Sequence, residues 1–169
     1  MEMRKSILVF IAMAITALMV CCSNQQNDTP KDHKTETVFP KGEKIVSNNF
    51  TGTVWLNMMG VSDTSLHIRI GNVTFEPKAR TNWHSHPGGQ ILFVTKGQGY
   101  YQAQAEPVKL LRKGDVVEIP RNIVHWHGAG PENEFVHIAV SLNTHYGSTV
   151  WSRPVTNEEY QAIKQFHHW

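Results

Sequence analysis

The sequence predicts an all-β domain, a sandwich or barrel, that ends in one short helix. From residue 45 onward, short runs rich in Val, Ile, Phe, Tyr and Trp are separated by Gly and Pro, as in evenly spaced strands joined by tight turns. Near the end of the chain, Thr156 and Glu159 are spaced as a capping box and Val155 and Tyr160 as a hydrophobic staple, which together mark a helix N-terminus. This helix is expected to cover one edge or end of the barrel.

Each predicted strand is a short apolar run bounded by turn residues. Gly97 and Gly99 are expected to mark one turn, and Lys113-Gly114-Asp115 another. The candidate strands cover residues 52–58, 66–75, 90–95, 99–104, 108–111, 115–119, 124–127 and 135–142.

Length and composition limit the functions that the chain can have. Its 169 residues are enough for one domain with a substantial core and too few for two. The formal net charge is +2 and the basic residues form no block, so no nucleic-acid partner is expected. The unusual feature is the presence of ten histidines, several of them clustered in the middle of the chain.

Residues 1–22 resemble a bacterial lipoprotein signal peptide. Arg4 and Lys5 precede an apolar run over residues 7–22 that is too short for a comfortable membrane span. The run ends in a sequence that resembles a lipobox, which implies that a cysteine is lipidated and becomes the mature N-terminus; Cys22 fits this position slightly better than Cys21. The alternative is an ordinary secretory peptide with two incidental cysteines.

Residues 23–44 are predicted to form a flexible tether, and residues 45–169 the folded domain. Only Val38 and Phe39 of the tether are apolar, which is too little buried surface to offset the entropy of ordering it. The tether and the lipidated cysteine together predict a protein of the bacterial cell envelope that is lipid-anchored to the membrane and faces the periplasm.

Four histidines occur at the spacing of one face of a strand. Side chains two residues apart on a strand point the same way, so His84 and His86 project together, as do His125 and His127. Gln90 begins the next strand and can bring an amide oxygen to the same point. Such a group is suited to a divalent metal ion. A single histidine is more often a hydrogen-bonded residue of the core, but that reading weakens for four within 44 residues.

Two sequence motifs resemble those of the cupin superfamily. In the first, His84-Ser85-His86 is followed after three residues by Gln90 and after six more by Gly97; in the second, Gly114, Pro120 and His125 have the family's spacing. The resemblance covers residues 51 to about 160. The departures from the family pattern are Lys78 and Asn122 for Gly, Gln90 for Glu, and Ala129 for Asn.

This resemblance implies a double-stranded β-helix, that is, a jelly-roll barrel, which often pairs into a homodimer. It also implies that one metal ion is held by His84, His86, Gln90 and His125. Because Gln90 is neutral where the family has a carboxylate, the ion keeps its full charge, which favours Lewis-acid chemistry over redox chemistry. Mn or Fe suits such an octahedral site, and Zn and Ni remain alternatives.

A narrower resemblance is to the bacterial cupin hydroxynitrile lyases, which cleave a cyanohydrin into an aldehyde and cyanide at a manganese-type centre. It implies that His137 is the general base beside the ligands. The stretches that carry it are residues 73–77, 79–81, 83–87, 89–90, 114–117, 125–129 and 137–139.

His137 also stands out by its place in its own strand. His137, Ala139 and Ser141 share one face, and this leaves a titratable imidazole, with an unperturbed pKa near physiological pH, among small neighbours. The alternative is a structural histidine hydrogen-bonded across the sheet. His127 is expected to be a partner of the ligands, a proton shuttle or a fifth ligand, whereas Trp83 and Trp126 are expected to face away from the metal and pack.

Three functions are compatible with these residues. The first is a metal-dependent enzyme of lyase or isomerase type that acts on a small hydroxy or carbonyl compound with a histidine base. The second is a redox enzyme that resembles the dioxygenase cupins. The third is a protein that binds a ligand or a metal in the same pocket without catalysis.

Overall fold

The computed structural model describes residues 37–60 and 64–163. The predicted signal peptide, both cysteines and residues 23–36 of the predicted tether lie outside the described residues. No helix in the described part of the chain has the length and apolar character needed to cross a membrane. Almost all regular structure there is β, with one short C-terminal helix, so the predicted fold class is confirmed.

The described residues form twelve strands, two turns of 3-10 helix and one α-helix. The strands are β1 Glu43–Lys44, β2 Phe50–Thr51, β3 Val54–Met59, β4 Arg69–Phe75, β5 Arg80–Thr81, β6 His84–Ser85, β7 Gln90–Ala103, β8 Lys109–Arg112, β9 Val116–Ile119, β10 His125–Ala129, β11 Phe135–Ser141 and β12 Val150–Trp151. The 3-10 turns are Thr64–Leu66 and Thr144–Tyr146, and α1 is Asn157–Gln161.

The strands form a curled antiparallel sheet whose two halves face each other. One half follows the order β1-β3-β4-β11-β7-β9 and the other the order β2-β5-β10-β7-β8, with β6 between β10 and β12. Buried residues from both halves form the main core, among them Val54, Phe75, Leu92, Leu111 and Phe135. Because the long strand β7 pairs with β11 in one half and with β10 in the other, it joins the two halves.

The turn predicted at Gly97 and Gly99 is wrong, because β7 continues through both glycines. Its first part pairs with β11 and its second part with β10. The register against β11 shifts two residues earlier, at Thr95. Gly97 itself has a φ of +73°, a conformation that L side chains rarely adopt. A Cβ atom at Gly97 would also collide with the carbonyl of Glu134. The glycine thus makes a bend inside one strand instead of a reversal of the chain.

The C-terminal helix begins at the predicted capping box. The Thr156 hydroxyl accepts a hydrogen bond from the Glu159 N–H, and the Glu159 carboxylate accepts one from the Thr156 N–H. Val155 and Tyr160 are buried in a second cluster with Trp83 and Trp126. Both tryptophans therefore pack as predicted: Trp83, just before β6, and Trp126, in β10, belong to one buried cluster with these two residues.

The segment next to the predicted domain boundary at residue 45 contacts the sheet. Glu43 and Lys44 form β1 and pair with Leu56 and Trp55 of β3. The Pro40 carbonyl accepts a hydrogen bond from the buried Asn72 side chain at 2.9 Å. Ordered structure thus includes residues before the predicted boundary.

Candidate metal centre

Antiparallel pairing brings the two predicted histidine motifs together. His84 in β6 lies directly opposite His125 in β10, and their ring centroids are 4.2 Å apart. The ring of His86 is 5.1 Å from that of His84 and 5.7 Å from that of His125. All three side chains are buried, and so is Gln90 at the start of β7.

His127 lies within metal-binding distance of His84 and His125. The ligand atoms of His84, His125 and His127 all lie within 4.8 Å of one another, so these three could hold a metal ion. His86 and Gln90 border the same cavity as His84 and His127. Of the three roles predicted for His127, this placement fits that of an additional ligand.

Several polar atoms of the site are buried without a hydrogen-bond partner in the described structure. Such atoms are costly and normally paired, yet here they concentrate around one cavity. They are His86 Nε2, Gln90 Oε1, His125 Nε2, His127 Nδ1, and both ring nitrogens of His137. Imidazole nitrogens and an amide oxygen are donors that suit divalent transition metals, so the residues present fit a bound ion.

Backbone carbonyls fix two of the rings in a ligand-ready form. His84 Nδ1 lies 2.9 Å from the Asn82 carbonyl, and His125 Nδ1 lies 2.9 Å from the Ile123 carbonyl. A carbonyl only accepts, so each Nδ1 carries the proton and each Nε2 keeps its lone pair for a metal.

Burial keeps the histidines neutral, the form in which imidazole binds a metal. It lowers the pKa of His86 and of His125 to about 4. Burial, followed by neighbouring histidines, holds the pKa of His84 and of His127 well below the ordinary value. The free imidazoles therefore stay unprotonated at neutral pH.

His137 lies deeper in the cavity, beside His127. Their ring centroids are 4.9 Å apart, and the ring of Phe75 is 5.7 Å from that of His137. The predicted face is confirmed, because His137, Ala139 and Ser141 all line the cavity. The pKa expected near physiological pH is not found: burial lowers the pKa of His137 to about 3. In the described structure no hydrogen bond across the sheet holds the ring. A neutral imidazole carries a proton on one nitrogen and a lone pair on the other, so one ring nitrogen is available as a proton acceptor.

The cavity has a volume of about 220 Å³, and its lining contains both polar and apolar side chains. The histidines and Gln90 supply most of the polar groups, and apolar rings lie beside them: the ring centroid of Trp151 is 4.8 Å from that of His84, and the centroid of Phe75 is 5.6 Å from that of His127. The apolar residues are Ile45, Phe50, Leu56, Met58, Val73, Phe75 and Trp151. Arg69 also lines the cavity, although nothing in its sequence surroundings marks it. The site can thus accommodate a small molecule with one polar and one apolar end.

Two comparisons identify the family of the chain. A family model described as a cupin domain matches residues 71–140. An (R)-mandelonitrile lyase of Granulicella tundricola is 38% identical over 112 residues, which cover 66% of this chain and 86% of that enzyme. The chain belongs to the cupin family. Cupins typically bind a divalent metal ion, and the group formed by His84, His125 and His127 is consistent with this.

Other relatives of this cupin extend the comparison. The solved structure of a cupin-like protein from Thermotoga maritima has a TM-score of 0.72 and 50% identity, covering 75% of this chain and 96% of that one. An acireductone dioxygenase of Hahella chejuensis is 33% identical over 63 residues, or 36% of this chain and 34% of that enzyme. The predicted cupin double-stranded β-helix is confirmed, and the relatives include both a lyase and an oxygenase.

Proposed function

We propose that this cupin is a metal-dependent lyase that cleaves a small cyanohydrin-like compound, with manganese as the bound ion. The observation that carries the proposal is the set of unpartnered imidazole and amide atoms around one cavity, with His137 beyond them. The 38% identity to an (R)-mandelonitrile lyase over most of that enzyme supports it.

The residues that would hold the ion are His84, His86, Gln90 and His125, with His127 as a further donor. When bound, the ion would supply a Lewis acid that stabilises negative charge on a substrate oxygen. All of these protein donors are neutral, so no carboxylate among them would reduce that effect. The apolar side chains of the lining would hold the hydrocarbon part of the substrate and exclude water from it.

His137 is the proposed general base. The unprotonated ring nitrogen would accept the proton of the substrate hydroxyl while the bond between the carbinol carbon and the nitrile carbon breaks. Burial lowers the pKa of His137 to about 3, so the ring holds this proton only transiently. The oxygen then forms the carbonyl of the aldehyde, and cyanide leaves with the electron pair of the broken bond. The proton passes from the His137 ring to cyanide, which completes the products. His127, whose ring centroid lies 4.9 Å from that of His137, acts in this proposal as a metal donor and not as a proton relay.

The test is a paired measurement of metal content and mandelonitrile cleavage. The parent protein should contain near-stoichiometric metal and release cyanide, and the double variant Gln90→Ala, His125→Ala should have neither property. His137→Gln should retain the metal but lose at least about 100-fold in kcat, as for a missing general base. The exposed His145→Gln serves as the matched control. Metal-loaded parent that releases no cyanide would refute the lyase proposal.

A redox function is the second candidate, because the acireductone dioxygenase is also a relative. Oxygen uptake by the iron-loaded protein with an enediol substrate would favour it. Saturable ligand binding without turnover, unchanged in His137→Gln, would instead favour a non-catalytic binding protein.

We also propose that the protein is anchored in the bacterial cell envelope through a lipidated Cys22 or Cys21, faces the periplasm and forms a homodimer. The lipobox-like sequence supports the anchor. Two cross-strand neighbours, Phe93 and Val116, leave apolar surface exposed on the outside of the sheet, which supports pairing. Mass spectrometry of the mature N-terminus tests the lipid anchor, and the molar mass of the protein in solution tests the homodimer.

A further inference from the structure

Arg69 is a cation at the metal cavity that lacks an acidic partner in the described structure. It begins β4, is exposed, and lines both the cavity described above and a smaller adjoining one. The ion pairs of the described residues involve Lys41, Lys96 and Arg153 but not Arg69. An arginine at a cavity without a carboxylate beside it is free to bind one from outside.

The sheet register places Arg69 in line with the metal centre. Arg69 lies opposite Ser141 of β11, and Ser141 lies opposite Gln90 of β7. Neighbouring strands are about 4.8 Å apart, so Arg69 and Gln90 are separated by two such steps across one face. A small molecule that contacts Gln90 can therefore span the distance of about two strand spacings to the Arg69 guanidinium.

Arg69 is the charged side chain in the described lining of the cavity. That lining contains no Asp or Glu, and its other polar side chains are neutral histidines, Gln90 and hydroxyl groups. A divalent ion on neutral donors would keep its charge, and Arg69 adds another positive group. Such a surface, with apolar side chains in the same lining, attracts and concentrates small anions. Ser141 and Thr149 line both cavities with Arg69 and offer further hydrogen-bond donors.

We propose that Arg69 makes this cavity a binding site for small carboxylates that carry an adjacent hydroxyl and an apolar side group. The guanidinium binds the carboxylate as a bidentate donor, the hydroxyl faces the histidines, and the side group packs against Phe50, Leu56 and Trp151. The inference goes beyond the proposed function, because it assigns a second class of ligand to the same cavity: a hydroxy carboxylate has no nitrile to release and is not a substrate of the cyanohydrin cleavage.

The test measures binding by calorimetry instead of turnover. Mandelate and mandelamide have the same shape, but only mandelate is an anion. Each ligand is titrated into the parent protein and into the variant Arg69→Gln, both as purified and after chelation of metal. The control variant is Arg112→Gln, which changes an exposed arginine of β8 outside the cavity. Arg69→Gln should weaken mandelate binding by a few-fold to about 10-fold, the range for a lost ion pair on an exposed side chain. Mandelamide binding should change little, and Arg112→Gln should bind both like the parent.

Equal effects of Arg69→Gln on the two ligands, or an unchanged affinity for mandelate, would overturn the inference. So would the absence of saturable mandelate binding to the parent at millimolar concentration. The two proposals can be refuted independently. If mandelate binding depends on Arg69 but the protein releases no cyanide, the lyase proposal is wrong and the anion site stands. If the protein releases cyanide but mandelate binding does not depend on Arg69, the anion site is wrong and the lyase proposal stands. Thermal melting of each variant verifies that it is folded.

Discussion

Acidification should unfold the metal-free protein over a narrow pH range. The pKa of His86 and of His125 is lowered to about 4, and that of His137 to about 3, in each case mainly by burial. In the unfolded chain these imidazoles take up protons near pH 6.5. The folded state therefore keeps its full stability above about pH 6.5 and loses it as the pH falls toward the lowered values, because only the unfolded state binds the protons.

The expected slope is steep. Each histidine that is protonated only on unfolding contributes about 1.4 kcal/mol per pH unit, so these three together give about 4 kcal/mol per pH unit below pH 6. A domain of ordinary stability has about 5–15 kcal/mol in total. The metal-free fold should thus be lost within a few pH units of neutrality. A bound ion, which competes with protons for the same nitrogens, should move the transition to lower pH.

The assay is urea unfolding of chelator-treated protein at several pH values, followed by tryptophan fluorescence. The variant His137→Phe, which keeps an aromatic ring in place, should reduce the slope by about 1.4 kcal/mol per pH unit. A free energy of unfolding that stays flat from pH 7 to about 5 would show that these imidazoles are protonated, or already solvated, in the folded state. The same pH-independent free energy of unfolding would also contradict the inference that burial keeps the histidine donors neutral.

Three further predictions concern single side chains. Gln90→Glu places a carboxylate among buried neutral groups, so the metal-free protein should lose about 1–3 kcal/mol of unfolding free energy, while the metal should resist a competing chelator longer. Gly97→Ala combines a strained φ with a collision against the carbonyl of Glu134 and should lower the free energy of unfolding several times more than Gly114→Ala, where the φ is also positive but the space is open. Equal decreases of the urea midpoint in the two variants would contradict the bend at Gly97. Thr156→Ala removes the capping hydroxyl of α1 and should cost about 1 kcal/mol, measured in the same urea titration.

Local patterns in the sequence predicted the fold class and the approach of the two histidine motifs. The alternation of side chains placed His84 and His86 together, and the spacing of the second motif placed His125 with them. The bend at Gly97 was missed because a glycine with positive φ occurs both in turns and in bulges, and only strand pairing distinguishes them. Two-residue strands such as Phe50–Thr51 have no periodicity to detect.

Other features of the site depend on register, which the sequence does not contain. Arg69 borders the cavity because β4 pairs with β11 at Ser141, and no motif includes it. The lowered pKa of His137 depends on burial among rings from other strands, including Phe75 of β4. For His127, the sequence left three roles open, and its distance to His84 and His125 favours that of a ligand.

The carbonyls of Asn82 and Ile123 have a consequence for how this protein acquires its ion. They select the ring tautomers of His84 and His125 through the backbone, so the lone pairs are aligned by folding and need no rearrangement when an ion arrives. Neutral nitrogen donors bind first-row metals in a common order of affinity and discriminate weakly between neighbours in that order. The identity of the resident metal should therefore be governed by the relative supply of ions where the protein matures, and its exchange by access through the cavity.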